Sequence, residues 1–237
     1  MGKRLIQQAR GKGGPRYKSP SFNFAGDTRL KSIKEGTITG TIVELVHSKG
    51  HHAPLARISY EDGEHVLVPA PEGIKVGQKV GCGAEAATTS GNILALKDIP
   101  EGTLIYNIEK TPGDGGKFCK SSGTAAKIIS KVAKGAVILL PSKKQKIFNL
   151  GCRATVGIVA GSGRTEKPFL KAGKRHHARK AGNRLYPRVS GGAMNAVDHP
   201  YGNTRSSRKA KTKVVSRHAP PGRKVGMLAA RRTGKRK

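Results

Sequence analysis

The stretch SGGAMNAVDHPYGN, residues 190–203, sets one carboxylate beside one imidazole, Asp198–His199. An acid next to a histidine is a pairing that moves protons in general acid/base catalysis. Such chemistry also needs a third group at recognisable spacing and a pocket that excludes water. No nucleophile stands near the pair at such a spacing, and a glycine-rich loop is a pliable scaffold for an independent site. The same residues suit a simpler role. The carboxylate can cap nearby N–H groups, Pro200 fixes the exit angle, and the imidazole donates to an oxygen acceptor. On the residues alone, a structured contact loop is favoured over a catalytic centre.

Other stretches carry weaker chemical signals. TPGDGGKF (111–118) falls short of a phosphate-binding P-loop at both ends, because Thr111 stands where the first glycine belongs and Phe118 replaces the Ser or Thr. Its glycines fit either a loop whose N–H groups face phosphate or a plain turn. His51–His52 and His176–His177 are adjacent pairs, which point to opposite faces of an extended chain and rarely chelate together. With no spaced cysteine or carboxylate partner, neither pair signals a metal site. The histidines of KRHHARK fit phosphate contact or stacking on bases better. Cys82, Cys119 and Cys152 are odd in number and form no C-x-x-C pair, as expected of reduced core or near-core thiols in a cytosolic protein. No catalytic residue, cofactor or small-molecule substrate is expected. Gly2 is followed by Ile6 where myristoylation needs Ser or Thr, and MGKRLIQQAR has no apolar h-region. No apolar run reaches the roughly 18 residues of a membrane span.

The setting of these stretches is strongly basic. The 237 residues carry 46 Lys and Arg against 14 Asp and Glu, a formal charge of +32. Like charges repel and do not stabilise a compact state, so the excess points to a polyanionic partner, nucleic acid foremost. The charge is uneven. Residues 1–33 hold eight basic and one acidic residue, and residues 34–160 hold sixteen and eleven. Residues 161–237 hold twenty-two basic residues and only two acidic ones. A nearly balanced centre is therefore flanked by basic arms. An apolar fraction of 35% without tryptophan supports one or two small cores, not one large one.

The centre reads as β structure. TITGTIVELV (37–46), LARISY (55–60) and HVLVPA (65–70) are rich in β-branched residues and separated by turn-forming SKGHHAP and EDGE. In LARISY, Ala56, Ile58 and Tyr60 share one side. The pattern softens around KVGQKVGCG (75–83). A second group comprises NILALKDI (92–99), TLIYNIEK (103–110), AKIISKV, GAVILLP, QKIFNLG and ATVGIVAG. AVILL and QKIFNL, joined by PSKK, predict a hairpin. SSGTAAKIISKVAK mimics a capped helix, but its short apolar run between Gly123 and Gly135 predicts a strand. Short strands at this spacing suggest small barrels. From residue 161 apolar periodicity is almost absent, so the tail is expected to be irregular alone and to order against a partner that neutralises it. The N-terminal arm has the same character. Arg153 interrupts the apolar stretch GCRATVGIVAG and is expected to face either water or nucleic acid.

The chain also resembles a known family. MNAVDHPYG looks like the signature loop of the second large-subunit ribosomal protein family. IEKTPGDGGKFCKSSGTAAKIISK and GCRATVGIVAGSGRTEKPFLKAGK resemble its central segments, and APPGRKVGMLAARRTGKRK is similar to its archaeal and eukaryotic ending. The resemblance implies an all-β fold of two small barrels, OB-like (34–81) then SH3-like (82–160). Irregular basic extensions would flank them at 1–33 and 161–237. It implies a cytoplasmic, primary rRNA-binding constituent of the large subunit, near the peptidyl transferase region and the subunit interface. Its partners would be large-subunit rRNA, neighbouring ribosomal proteins and the small subunit through bridge contacts. Arg153 matches an arginine implicated in rRNA contact, and His199 the histidine discussed for peptidyl transfer. The family commonly has further glycines where Asn203–Thr204–Arg205 stand, and other residues where Ser190, Gly192 and Ala196 stand.

The expected RNA contacts follow from charge and resemblance together. In the N-terminal arm they are Lys3, Arg4, Arg10, Lys12 and Arg16; in the centre, Arg153. Those of the tail begin with Lys171, Lys174, Arg175, His176, His177, Arg179, Arg184 and Arg188. They continue through Asn195, Asp198, His199 and Arg205 to Arg223, Lys224, Arg231 and Arg232. A free-standing nucleic-acid packaging or RNA chaperone protein would have similar charge, but would leave the ordered signature segments unexplained.

Overall fold

The computed structural model describes residues 5–32, 36–203 and 214–231. Lys3, Arg4, Arg205 and Arg232 lie outside the described residues. The chain divides into two compact units, one spanning Pro20–Leu170 and one combining Met1–Ser19 with Lys171–Lys237.

The first unit is built from β1 (Thr37–Val46), β2 (Leu55–Tyr60), β3 (His65–Pro69), β4 (Lys79–Gly83) and β5 (Ile93–Ala95). These are followed by β6 (Leu104–Tyr106), β7 (Ala126–Val132), β8 (Gly135–Leu139), β9 (Gln145–Phe148) and β10 (Arg153–Val156). They form one sheet in the order β3-β2-β1-β4-β5-β10-β6-β7-β8-β9. The fold is all-β in this sense: mostly strands, with few helices. The β-branched runs at 37–46, 55–60 and 126–132 are strands over those residues. β8 and β9 form the hairpin expected around PSKK, with Ala136 opposite Phe148 and Leu139 opposite Gln145. On β2, Ala56, Ile58 and Tyr60 are buried, and Leu55 at the strand start is buried as well.

Besides a small cluster of Ala53, Tyr106 and Val159, two large apolar clusters divide this sheet. One gathers Leu30, Ile42, Ile58, Val68, Val80, Cys82 and Ile93. The other gathers Leu94, Leu96, Ile105, Ile128, Ile138, Phe148 and Ala154. Neighbouring residues on a strand face opposite sides, so Ile93 and Leu94 on β5 close one cluster and open the next. The expected boundary at 81/82 falls inside β4, whose Cys82 packs in the first cluster. Each fully buried Ile or Leu contributes about 1.5–3 kcal/mol relative to exposure, so two clusters of this size suffice for two small cores.

Part of the N-terminal arm differs from the expected irregular extension. Residues 29–31 cross the β structure as a strap. Arg29 N–H donates to Leu67 O at 3.1 Å, and Leu30 N–H to Gly115 O at 3.2 Å. Lys31 is buried, its ammonium held by the carboxylates of Asp62 and, at 2.6 Å, Glu64. Leu30 is an apolar plug in the first cluster, and one leucine in a basic arm carries no periodic signal.

The second unit contains α1 (Ile6–Gly11), α2 (Ala172–Ala181) and a short parallel pair, β11 (Val214–Val215) with β12 (Met227–Leu228). α2 departs from the irregular tail expected from the sequence. Ala, Lys and Arg have good helix propensity, and Arg179 and Lys180 in the last turn complement the helix dipole. It buries no residue, so no apolar stripe announced it.

Candidate nucleic-acid interface

The signature loop is held by its own backbone. A short 3-10 turn, Gly191–Ala193, leads into it. Asp198 and His199 N–H donate to Asn195 O at 3.0 and 3.2 Å, and Gly202 N–H donates to His199 O at 2.8 Å. Asn203 N–H closes the loop onto Met194 O at 3.0 Å. The His199 ring is fixed from two sides. Tyr201 N–H donates to its Nδ1 at 3.1 Å, so the neutral ring carries its proton on Nε2. Gly191 lies against the ring, and a Cβ there would stand 2.4 Å from Cε1. Tyr201 packs beside the imidazole, centroids 5.1 Å apart, and its hydroxyl donates to Val225 O at 3.1 Å. His199 is half-buried and Asn195 exposed. The result is a rigid turn presenting an Nε2–H donor. Asn203, where the resembled family has glycine, has φ 57°. Asn tolerates this left-handed conformation best after glycine, so the loop closes despite the departure.

Elsewhere the second unit is basic and exposed. Arg10, Lys12, Arg16, Lys171, Lys174, Arg175, His176, His177, Arg184, Arg188, Arg223 and Arg231 are exposed, and Arg179 and Lys224 are half-buried. The Arg175 guanidinium stacks over Tyr186 at 5.4 Å. His176 and His177 lie on a helix rather than an extended chain, which corrects the opposite-face expectation; their ring centroids are 5.5 Å apart.

Arg153 is in the first unit, on β10, and belongs to a different arrangement. Its N–H and Nε donate to Glu109 Oε2 at 2.9 and 3.4 Å, and Nη2 to Oε1 at 2.7 Å. Nη1 donates to the carbonyl of Lys31. The Glu109 side chain is fully buried and that of Arg153 is 17% exposed. Inside the fold this guanidinium is bound by the Glu109 carboxylate and the Lys31 carbonyl. Arg153 ties the strap to the second cluster, and Lys31 ties it to the β2–β3 turn.

The comparisons with known proteins agree with one another. Residues 28–82 match the family model described as "Ribosomal Proteins L2, RNA binding N-terminal domain". Residues 89–221 match "Ribosomal Proteins L2, C-terminal domain". The chain is 52% identical over 241 residues to "Large ribosomal subunit protein uL2" of Methanothermobacter thermautotrophicus, covering all of both chains. It is 50% identical to that of Methanococcus maripaludis and 49% identical to that of Methanosphaera stadtmanae, again over the full length of each. The chain belongs to the ribosomal protein L2 family.

In this L2 family member the remaining sequence candidates are structural. N–H groups of TPGDGGKF are turned inward: Thr111 and Gly116, with the preceding Lys110, donate to Asp114 at 3.1–3.4 Å, and Gly115 donates to Glu109 at 3.3 Å. The segment is an acid-capped turn rather than a phosphate cradle. His51 Nδ1 contacts Ser48 Oγ at 2.9 Å. Burial, then the nearby Lys120 charge, holds its pKa below the ordinary value, against an opposing pull from Asp27. Among the described residues no group of three His, Cys, Asp or Glu is placed to hold a metal. The three cysteines are free thiols, and burial pushes Cys82 and Cys119 up to about 11. At neutral pH they are protonated and unreactive. Sequence reasoning missed Lys31, Glu109, Gly191 and Tyr201. Only Glu109, an acid beside the apolar run TLIYNI, carried a local signal.

Proposed function

We propose that this L2 family member is a structural, rRNA-binding constituent of the large ribosomal subunit, working in the cytoplasm. The observation that carries this is the family match over both domains and the full length of the archaeal relatives. The charge layout supplies the mechanism. The first unit is an oriented β platform, read as an OB-like barrel around the first cluster and an SH3-like barrel around the second. The basic ends run along rRNA, their Lys and Arg neutralising phosphates and releasing counterions. The RNA-contact set is the one named from the sequence, with Arg153 positioning the strap in addition to any RNA contact. Specificity rests on the shape of folded rRNA more than on base edges. A packaging or chaperone protein is not favoured, since it leaves the matched domains unexplained.

The finer roles are also proposals: support of subunit association, of tRNA placement and of the peptidyl transferase region, with bridge contacts to the small subunit. The loop supports this reading because its Nε2–H donor is held in one orientation. In this reading its role is to position RNA, and no catalytic residue is assigned. In a gentle lysate the tagged chain is expected to sediment with large subunits; sedimentation free of them would overturn the assignment. His199→Ala is expected to assemble but to give fewer polysomes and slower subunit joining. Unchanged polysome profiles would remove any role for the imidazole.

A further inference from the structure

The two ends of the ten-stranded sheet are treated differently. At one end β3 is covered by the strap, through Arg29 N–H to Leu67 O. At the other end β9 (Gln145–Phe148) has β8 on one side and, among the described residues, no strand on the other. An open edge presents N–H and C=O groups that another chain can pair with, and proteins usually cover or blunt it.

The outer face beside this edge is apolar. The cross-strand register sets Val137 opposite both Ser130 and Ile147, and Val132 opposite Gly135. Ile147 is 52% and Val132 41% exposed, while Val137 and Leu139 are half-buried. Ile147 Cγ2 lies 3.1 Å from where a Gly135 Cβ would stand, so the stripe runs on from Val132 to Ile147. The surrounding charge is mostly positive. No Asp or Glu occurs from Gly115 to Thr165. Lys127, Lys134, Lys143 and Lys144 are exposed around the stripe. One acid from elsewhere reaches this region: Glu101 accepts the Lys131 N–H at 2.6 Å.

RNA would neutralise the lysines. It would not pair with a strand edge in register, and the stripe is aliphatic, without the aromatic rings on which bases stack. An extended polypeptide answers all three features: backbone for the edge, alternate apolar residues for the stripe, and carboxylates for the lysines. We propose that the β9 edge and its Val132–Val137–Ile147 stripe receive an extended acidic and apolar segment of a neighbouring large-subunit protein by strand addition. This rests on the ribosomal assignment above and names a class of partner within it.

The test uses the full chain with p-benzoylphenylalanine in place of Ile147, incorporated into purified large subunits and irradiated. The expected adduct joins residue 147 to one protein segment with carboxylates at alternate positions, identified by mass spectrometry after nuclease digestion. Amides of 145–148 are expected to exchange at least tenfold more slowly in the subunit than in the free chain. Ile147→Lys, at an exposed position, is expected to enter subunits normally while that neighbour is depleted; Val132→Lys serves as an independent second variant. An adduct with rRNA alone, an adduct with a second copy, no adduct, or unprotected 145–148 amides would overturn the proposal and leave the ribosomal assignment standing. Exclusion of the unaltered chain from subunits would overturn both.

Discussion

The two compact units handle their positive charge in opposite ways. In Pro20–Leu170, carboxylates are built into the fold beside the cations: Lys31 on Asp62 and Glu64, Arg57 on Glu44 at 2.9 Å, Arg153 on Glu109. In the unit formed by Met1–Ser19 and Lys171–Lys237, one acid stands against twenty-six basic residues, and α2 buries nothing. The first unit therefore holds its geometry through its own contacts. The second carries charge that its own chain cannot neutralise, and it also contains the rigid loop. Under the proposed function, the contrast separates a platform that orients from a surface that binds.

The largest effect expected from this contrast is the salt dependence of rRNA binding. If roughly ten phosphates are neutralised, raising salt from about 50 to 200 mM lowers affinity by on the order of 10⁵. The slope should come from the ends. Replacing Lys174, Arg175 and Arg179 with Ala is expected to reduce the log–log slope by about one per residue. Replacing Arg57, already paired with Glu44, should leave it unchanged. Filter binding to large-subunit rRNA across a salt series measures both. Equal losses from the two regions would erase the distinction between them.

The next largest effect lies in the first unit. Glu109→Ala leaves a mostly buried guanidinium without its carboxylate. Breaking a buried pair from one side costs about 3–5 kcal/mol, so the urea midpoint of the full chain should fall accordingly. Glu109→Gln keeps acceptor shape and should cost less. The rRNA salt slope of the refolded variant should match the parent, because this pair organises the platform rather than meeting phosphate. A changed slope with unchanged stability would reverse that assignment of roles.

How much of this was legible in the sequence follows the same division. The strands at 37–46, 55–60 and 126–132 were readable because β-branched residues and alternation report burial directly. The basic arms were readable as composition. The strap was not: Lys31 lies among arm residues and is buried only because Asp62 and Glu64, some thirty positions away, meet it. α2 was missed because a helix without an apolar face has no periodic signal. At the loop, the Asp198–His199 pair was evident, but the groups fixing the imidazole were not. A glycine that matters for what its missing Cβ makes room for looks like any other glycine, and Gly191 is one.

That glycine gives a sharper test of the rigid loop. Gly191→Ala places a methyl 2.4 Å from the His199 ring, and overpacking of this kind costs about 1–3 kcal/mol. The ring should rotate away, releasing the Tyr201 N–H bond to Nδ1. The His199 ring nitrogen shifts in the full chain should change, while unfolding of the first unit should not. Asn203→Gly, which eases the same loop at φ 57°, should leave those shifts in place. If Gly191→Ala leaves them unmoved, the ring is held by something other than the glycine contact.

The smallest effect is the pH dependence of the strap. The Lys31 hydrogen bond holds the Asp62 carboxyl below its ordinary value of 3.8. A depressed carboxylate contributes stability above its unfolded pKa and loses it as pH falls through the folded one. Lys31 runs the other way. Burial alone would lower its pKa, but the hydrogen bonds to Asp62 and Glu64 more than offset this and leave it above 10.5. Its contribution is complete below 10.5 and is lost as pH rises through the raised value. The urea midpoint of the first unit should therefore be level through neutral pH and decline below about 4, the unperturbed carboxylate range. Asp62→Asn should flatten that acid limb and leave the rRNA salt slope untouched. An acid limb that survives the substitution would place the sensitivity outside the Lys31–Asp62 pair. A salt slope that changes with it would mean that this pair, unlike the rest of the platform, also meets RNA.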